Sequence, residues 1–401
     1  MNVILFDSNE WNELLPLTYT RPVADLRIGI MTIAEKWKRA FAGDISYFTQ
    51  DYLSEKYPMT IAGDNLLING SILPDIKIKN LITSLKNNEG LIWNGYLIAA
   101  RVDAKQLESN TIPQIFGNLS VRDISDVDYI NKINHLWELF QKNEEQLLFD
   151  FEILTSGKTT AKLSSTNTII GDESNIFIEQ GAKIEGAIIN TENAKIYIDK
   201  NAEIMPGTMI KGSLYLGQNA VLKMGAKIYG ATSIGQYCKV GGEVNNSIFH
   251  SYSNKAHDGF IGNAVIGQWC NIGADTNNSN LKNNYAEVKI WNYPKEKFVK
   301  TGTQFCGLFM GDHSKTGINT MFNTGTVAGV SANIFGPGFP RTFIPSFAWG
   351  GNHGFSTFRF DKAVETASAM MQRRKIKIPE YDIKILNAIY EKTKKYRVLE
   401  K

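Results

Sequence analysis

The stretch "IDKNAEIMPGTMIKGSLYLGQNAVLKMGAKIYGATSIGQYCKV", residues 198–240, sets an aliphatic side chain at every sixth position. Ile198, Ile204, Ile210, Leu216, Leu222, Ile228, Ile234 and Val240 form the series without a gap. An α-helix of about 3.6 residues per turn cannot hold multiples of six on one stripe. A flat strand of period two does not single out every third inward position. Six residues per face and three faces per coil fit a parallel β-helix, whose stacked coils build the core as a column. Gly217 and Gly235 follow two of the aliphatic residues directly and mark corners where the backbone turns tightly. Ile178 with Ile184, and Ile266 with Ile272, repeat the step on either side.

Two segments break the rhythm. They are "EVNNSIFHSYSNKAHDGF", 243–260, and "DTNNSNLKNNYAEVKIWNYPKEKF", 275–298, both polar. A stacked column tolerates departures only on its outside, so both are predicted to be loops that leave it and carry ligand contacts. Upstream, short β-like runs (Val3 to Phe6, Leu66 to Ile68, Tyr96 to Ala100) alternate with helix-like segments such as "MTIAEKWKRAF", 31–41, as in an open α/β sheet. Val127, Ile130, Ile133, Trp137 and Phe140 recur at helical spacing from Asp126 to about Leu148, which predicts an amphipathic connecting helix. "VETASAMMQRRK" and "YDIKILNAIYEKTKKY" read as two helices that cap the column. The expected layout is an α/β domain over 1–124, a helical linker over 125–160, the β-helix over 161–350 and a helical cap over 351–401.

Composition narrows the class. Forty-three basic and forty acidic residues leave a formal charge of +3, which gives no argument for nucleic acid or an anionic membrane as partner. No apolar run approaches the ~20 residues of a membrane span, and the start "MNVILFDSNEW" lacks a basic leader. Three cysteines in 401 residues give no disulfide framework, so a cytoplasmic location is the expectation. "QYC", "QWC" and "QFC" place Cys238, Cys270 and Cys306 without metal-ligand spacing, and they read as small buried residues. Of the five histidines, His257 sits where the repeat breaks, and histidine is the side chain best suited to proton transfer near neutral pH.

The hexapeptide column, the segment "EVNNSIFHSYSNKAHDGFIGNAVIGQWCNIGAD" and the α/β region before it together resemble the GlmU-like family, in an alternate, divergent form. Those are bifunctional enzymes of UDP-N-acetylglucosamine synthesis. A Rossmann-like nucleotidyltransferase domain precedes a left-handed β-helix acetyltransferase domain. Glu243 and His257 stand fourteen apart and "NIGA" spans Asn271 to Ala274, matching the family's acetyltransferase motif. The resemblance implies acetyl transfer from acetyl-CoA to an amino-sugar phosphate of the glucosamine 1-phosphate type. His257 is then general base, Glu243 orients its ring, and the Ala274 N–H faces the thioester oxygen. Asn280 and Asn271 become sugar contacts, and a homotrimer is implied, with acetyl-CoA between columns. One position departs: Asn245 stands where the family carries a lysine for the sugar phosphate, with Lys255 and Lys282 as nearby cations.

The first domain matches its motifs less well. "FDSNEWNELLPLTYTRPVADLRIG" keeps the family's "PLT…RP" frame from Pro16 to Pro22, but the preceding loop has no glycine and Val23 replaces the expected lysine. "INGSILPD" resembles the Mg²⁺-binding turn, with Ser71 in place of the aspartate and Asp75 kept as the metal candidate. Asp7, Asn9, Arg21 and Arg27 remain to handle a nucleotide, the two guanidiniums being suited to phosphate. Three readings stand open: an acetyltransferase with or without nucleotidyl transfer, a UTP- or dTTP-dependent sugar-1-phosphate nucleotidyltransferase whose β-helix mainly oligomerises it, or a scaffold that binds sugar nucleotide without catalysis.

Overall fold

A computed structural model describes residues 2–109 and 111–397. The chain forms two compact units: residues up to Leu26 with Met31–Leu136, and Arg27–Ile30 with Trp137 onward.

The first unit is an α/β domain on a six-stranded sheet. Its strand order is Ile45–Phe48, Asn2–Phe6, Asn65–Asn69, Tyr96–Val102, Glu89–Trp93, Ser120–Asp123. The first three strands run parallel, while Tyr96–Val102 is antiparallel to both of its neighbours. Ile4, Phe6, Leu67 and Ala100 form its buried apolar layer. The predicted helix is observed as Ile33–Phe41. It starts where Thr32 accepts from the Glu35 N–H at 3.1 Å while the Glu35 carboxylate accepts from the Thr32 N–H, a capping box. Its apolar stripe buries Trp37 completely, and the Trp37 indole donates to the Ile72 carbonyl at 2.9 Å.

The predicted linker differs from the observed chain. Residues 126–135 are irregular, and the helices are Leu136–Gln141 and Asn143–Thr155. The second helix is no free connector, because Leu147 and Phe151 pack on Phe177, Tyr197 and Tyr215 of the β-helix. The same helix binds the detached segment Arg27–Ile30: the Gly29 N–H donates to Asn143 Oδ1 and the Ile30 N–H to Asp150 Oδ2, both at 2.8 Å. Ser233 completes the clasp by donating to the Gly29 carbonyl at 2.8 Å. Two buried polar helix residues thus exist to satisfy a buried backbone excursion.

The second unit is a three-faced parallel β-helix. On one face the inward residues Ile178, Ile198, Leu216 and Ile234 lie in register, and the ladder continues through Phe249, Ile266, Met310, Ala328 and Ile344. All of these are buried in one apolar column. The aliphatic residues six apart are therefore successive inward positions, one per face.

The segment 243–260 does not leave the column, and the expectation of a loop there is corrected. It contributes the strands Glu243–Asn245, Ile248–Phe249 and Asn254–Lys255, each in parallel register with the coils on both sides. Val244, Phe249, Lys255 and Ile261 occupy its inward positions. The rhythm breaks because corners are shortened: Val244 follows Val240 after four residues, and Phe249 follows Val244 after five. The second segment does leave, but later than predicted. Asn277–Asn278 still lies in the column and pairs with Met321–Phe322. The asparagine side chains replace the missing strand ladder. Asn277 Oδ1 accepts from the Phe260 N–H at 2.8 Å, and Asn278 bonds both the N–H and the carbonyl of Gly262, at 2.9 and 3.0 Å. The excursion after Ser279 folds as a hairpin, Lys289–Asn292 with Lys297–Lys300.

The C-terminal helices, Phe360–Gln372 and Glu380–Lys392, line the side of the column rather than cover its end. Arg374 donates to the Tyr237 carbonyl at 3.1 Å, and Arg397 reaches the Ser346 carbonyl at 3.3 Å, coils apart. The end is closed instead by the hairpin Ala348–Gly351 with Gly354–Thr357, which packs Phe355 against the core. Among the described residues no helix is long and apolar enough to cross a membrane.

Candidate active site

His257 stands at the corner that follows the strand Asn254–Lys255, exposed, in a cleft of about 580 Å³. Four successive coils build this cleft with stacked turns: Lys223 and Met224, then Gly242, then Ala256 to Asp258, then Ala274 and Asp275. The corners stack closely because Gly241 and Gly242 lack side chains. A Cβ on Gly241 would lie 2.8 Å from the Ala256 carbonyl oxygen, and one on Gly242 would lie 2.8 Å from the His257 carbonyl oxygen. Gly242 also has φ +67°, which a side chain disfavours.

Of the residues singled out in the sequence, His257 and Ala274 share this cleft. The Ala274 N–H has no hydrogen-bond partner among the described residues, while its carbonyl accepts from the Asn319 N–H at 2.8 Å. A bare amide beside an exposed imidazole is what acyl transfer requires of the protein: a base for the nucleophile and a donor for the oxygen that gains charge.

Glu243 is placed elsewhere. Val244 points inward, so Glu243 faces outward, where it accepts from the Tyr229 hydroxyl at 2.6 Å and pairs with Lys227 at 3.7 Å. That contact and burial push the Tyr229 hydroxyl up to about 12, desolvation contributing most. The expected Glu243–His257 pairing is corrected; the carboxylates in the cleft are Asp258 and Asp275. These two escaped the sequence reading, although each directly follows a residue that was singled out. Asn271 and Asn280 do not line the cleft. Asn271 bridges Asn254 and Lys315 through its backbone, and Asn280 donates to Asn263 Oδ1 at 2.8 Å. Lys282 is engaged with the Glu287 carbonyl at 3.0 Å, and Lys255 is buried inside the column, so neither stands ready for a sugar phosphate.

All three cysteines are free and buried, and burial pushes the Cys238 and Cys270 thiols up to about 12. Cys238 and Cys270 occupy equivalent inward positions of the column, whereas Cys306 belongs to the chain returning from the hairpin, where its N–H donates to the Asn280 carbonyl.

In the first unit the loop after Asn2–Phe6 is a packed turn instead of a glycine cradle. Trp11, Leu14, Leu15 and Leu17 are buried in it, and Glu10 forms a buried ion pair with Lys132. Arg21 is buried 3.7 Å from Asp25. Arg27 belongs to the second unit, where its guanidinium lies 5.2 Å from the Tyr215 ring centre and donates to the Ile30 carbonyl. The expectation of an arginine pair for phosphate is therefore corrected. Asp75 is likewise reassigned: it is the N-cap of the helix Ile76–Thr83, with Oδ1 accepting from the Ile78 N–H at 2.8 Å. Ser71 donates through both N–H and hydroxyl to Asn69 Oδ1. Among the described residues no group of three His, Cys, Asp or Glu is gathered for a metal.

Asp7, at the end of the first strand, accepts from the Val23 N–H at 2.9 Å and the Thr49 hydroxyl at 2.5 Å. Burial raises its carboxyl from 3.8 to about 7, with the Glu10 charge adding to the shift. A carboxyl raised in the folded state favours folding when protonated and opposes it when ionised. Stability from this group is therefore greatest below its unfolded value and is lost as pH rises through about 7. Asp7→Asn is expected to raise the melting temperature at pH 8, with the gain shrinking as pH falls to 5. A gain that is independent of pH would remove the buried charge as its cause.

Residues 3–159 match the sugar nucleotidyl transferase family. The bifunctional sugar-1-phosphate nucleotidylyltransferase/acetyltransferase of Sulfurisphaera tokodaii is 32% identical over 160 residues, which is 39% of this chain and 37% of that protein. Residues 3–159 are thus similar to sugar nucleotidyl transferases. The matched part spans little more than a third of the length of that curated relative. Among solved structures, the polySia specific acetyltransferase NeuO is 14% identical, covering 47% of this chain and 84% of its own, with a TM-score of 0.26. The UDP-N-acetylglucosamine acyltransferase from Campylobacter jejuni is 14% identical, covering 57% and 96%, with a TM-score of 0.21. At these scores the β-helix rests on its own strand ladders.

Proposed function

We propose that the second unit is an acetyl-CoA-dependent acetyltransferase acting on an amino-sugar phosphate or sugar nucleotide, with His257 as general base. The observation that carries this reading is the exposed His257 imidazole in one cleft with the unpartnered Ala274 N–H. An amino sugar arrives mostly as ammonium and must lose a proton before it attacks. His257 takes that proton. The amine then attacks the thioester carbonyl, the C–N bond forms, and the oxygen gains charge against the Ala274 N–H. Collapse breaks the C–S bond, and CoA leaves as a thiol with the proton shed by the newly formed amide nitrogen. Asp258 and Asp275 stabilise the imidazolium through their charge, the role first given to Glu243. Met224, 73% exposed at the cleft, supplies apolar surface for a neighbouring copy, in keeping with a homotrimer in the cytoplasm.

The match over residues 3–159 favours a second activity in the first unit: nucleotidyl transfer from UTP or dTTP to a sugar 1-phosphate. Mg²⁺ would be carried to such a site by the substrate phosphates together with one or two carboxylates.

Two assays on the full chain separate the readings. Acetyl-CoA with glucosamine 1-phosphate is expected to release CoA, read as free thiol, across a panel that includes amino-sugar nucleotides. UTP or dTTP with Mg²⁺ and a sugar 1-phosphate tests for pyrophosphate. Failure of every acceptor in the panel to release CoA rejects acetyl transfer. If neither product forms while a sugar nucleotide raises the melting temperature, the chain is a binding scaffold.

A further inference from the structure

The β-helix column holds one side chain that its own chemistry argues against. On the face that carries Ile184, Ile204, Leu222 and Val240 inward, the next inward position is Lys255. Its side chain is 1% exposed, and every earlier residue of that inward row is aliphatic. An ammonium in such a place is costly unless it is held by an acceptor. It has one: Lys255 Nζ donates to the His257 carbonyl oxygen at 2.5 Å. That carbonyl accepts no other hydrogen bond among the described residues, and Lys255 makes no other through Nζ. The ammonium lies under Gly242, where a Cβ would come within 2.8 Å of Nζ. The missing side chain at Gly242 thus leaves the space in which lysine and carbonyl meet.

We propose that Lys255 is a positioning residue that holds the His257 peptide from inside the column and so fixes the direction of the imidazole in the cleft. The proposal rests on the acetyl-transfer reading for its kinetic consequence, but the tether itself does not depend on it. Geometry supplies the reason for a lysine: the corner 256–258 has few backbone bonds of its own, and only a long side chain starting at an inward position reaches the far side of the turn. A valine, as at position 240, fills the column but leaves the corner unheld. Burial lowers the Lys255 ammonium to about 8, while the charges of Asp258 and Asp275 on the cleft side hold it up. The cleft carboxylates therefore favour the protonated, donating form of the tether.

Lys255→Met tests it, since methionine keeps an unbranched apolar stem and removes the donor. Replacing a buried charge by an apolar side chain is commonly neutral or stabilising, so the melting temperature is expected to hold or rise. Hydrogen exchange at Asp275 and Glu243, whose N–H groups donate to the Asp258 and Gly259 carbonyls of this corner, is expected to quicken about tenfold or more, while amides of the adjoining ladders, Lys239 and Gly241 among them, keep their protection. The kcat for acetyl transfer is expected to fall about 10- to 100-fold with KM for acetyl-CoA nearly unchanged, as for a displaced but intact catalytic group. Lys255→Gln, which keeps a shorter donor, is expected to recover part of both effects. Unchanged exchange at Asp275 and Glu243 overturns the tether, and so does loss of protection throughout the column, which marks a structural lysine. If wild-type protein releases no CoA, the acetyl-transfer reading fails while the exchange result still decides the tether.

Discussion

His257→Ala is expected to lower kcat/KM for acetyl transfer by about 10²–10⁴, the usual contribution of a positioned general base. The side chain is exposed and contributes nothing to the apolar column, so the melting temperature should stay within a degree or two of wild type. Loss of the base should affect the chemical step more than binding, so KM for acetyl-CoA should change little. Residual turnover should increase as pH rises, because an amine that deprotonates in solution no longer needs the imidazole. The measurement is thiol release under saturating acetyl-CoA over a pH series. Turnover equal to wild type at neutral pH rejects His257 as the base.

The residues that were legible in the sequence are those whose position is set by periodicity. Ile198 to Val240 state the inward rows directly, because each coil repeats one packing problem and the solution is always an aliphatic side chain. The next coil was misread for a physical reason. Shortened corners shift the spacing without removing a strand, so Val244 and Phe249 fall out of the six-residue count while remaining in the core. Lys255 compounds the error, because an inward lysine resembles a solvent-facing one in sequence. Asn277 and Asn278 mislead in the same way: polar residues read as loop, yet their amides take over the hydrogen bonds of an absent strand.

Partner choice was less legible than position. Glu243 is correctly spaced from His257, but alternation turns its carboxylate to the outer face beside Tyr229. Arg27 lies near Arg21 in sequence, yet Gly29 and Ile30 are bound by Asn143 and Asp150, more than a hundred residues away, and draw Arg27 into the second unit. Asp75 carries the ordinary signature of an N-cap, an aspartate before an apolar helical run, and that reading accounts for it fully.

Phe249→Ala tests the corrected account of residues 243–260 most sharply. Phe249 is fully buried, in register with Ile234 on one side and Ile266 on the other. Truncation removes most of an aromatic side chain from a column whose walls are fixed by ladders on all three faces, so collapse around the gap is limited. The expected cost is about 3–5 kcal/mol, against well under 1 kcal/mol for an aromatic on an excursion outside the core. Because each coil meets only its neighbours, the loss should be local at first. Exchange mass spectrometry should show it at the amides bonded across this coil: Gly235, which donates to the Phe249 carbonyl, and His250, which donates to Ile266. The strands Asn2–Phe6 and Asn65–Asn69 belong to the other unit and serve as the internal control. His257 sits one face further along the same coil, so the variant should also lose acetyl transfer as the corner loosens. Full protection at Gly235 and His250 in the alanine variant would return the segment to a loop and detach the imidazole from the column.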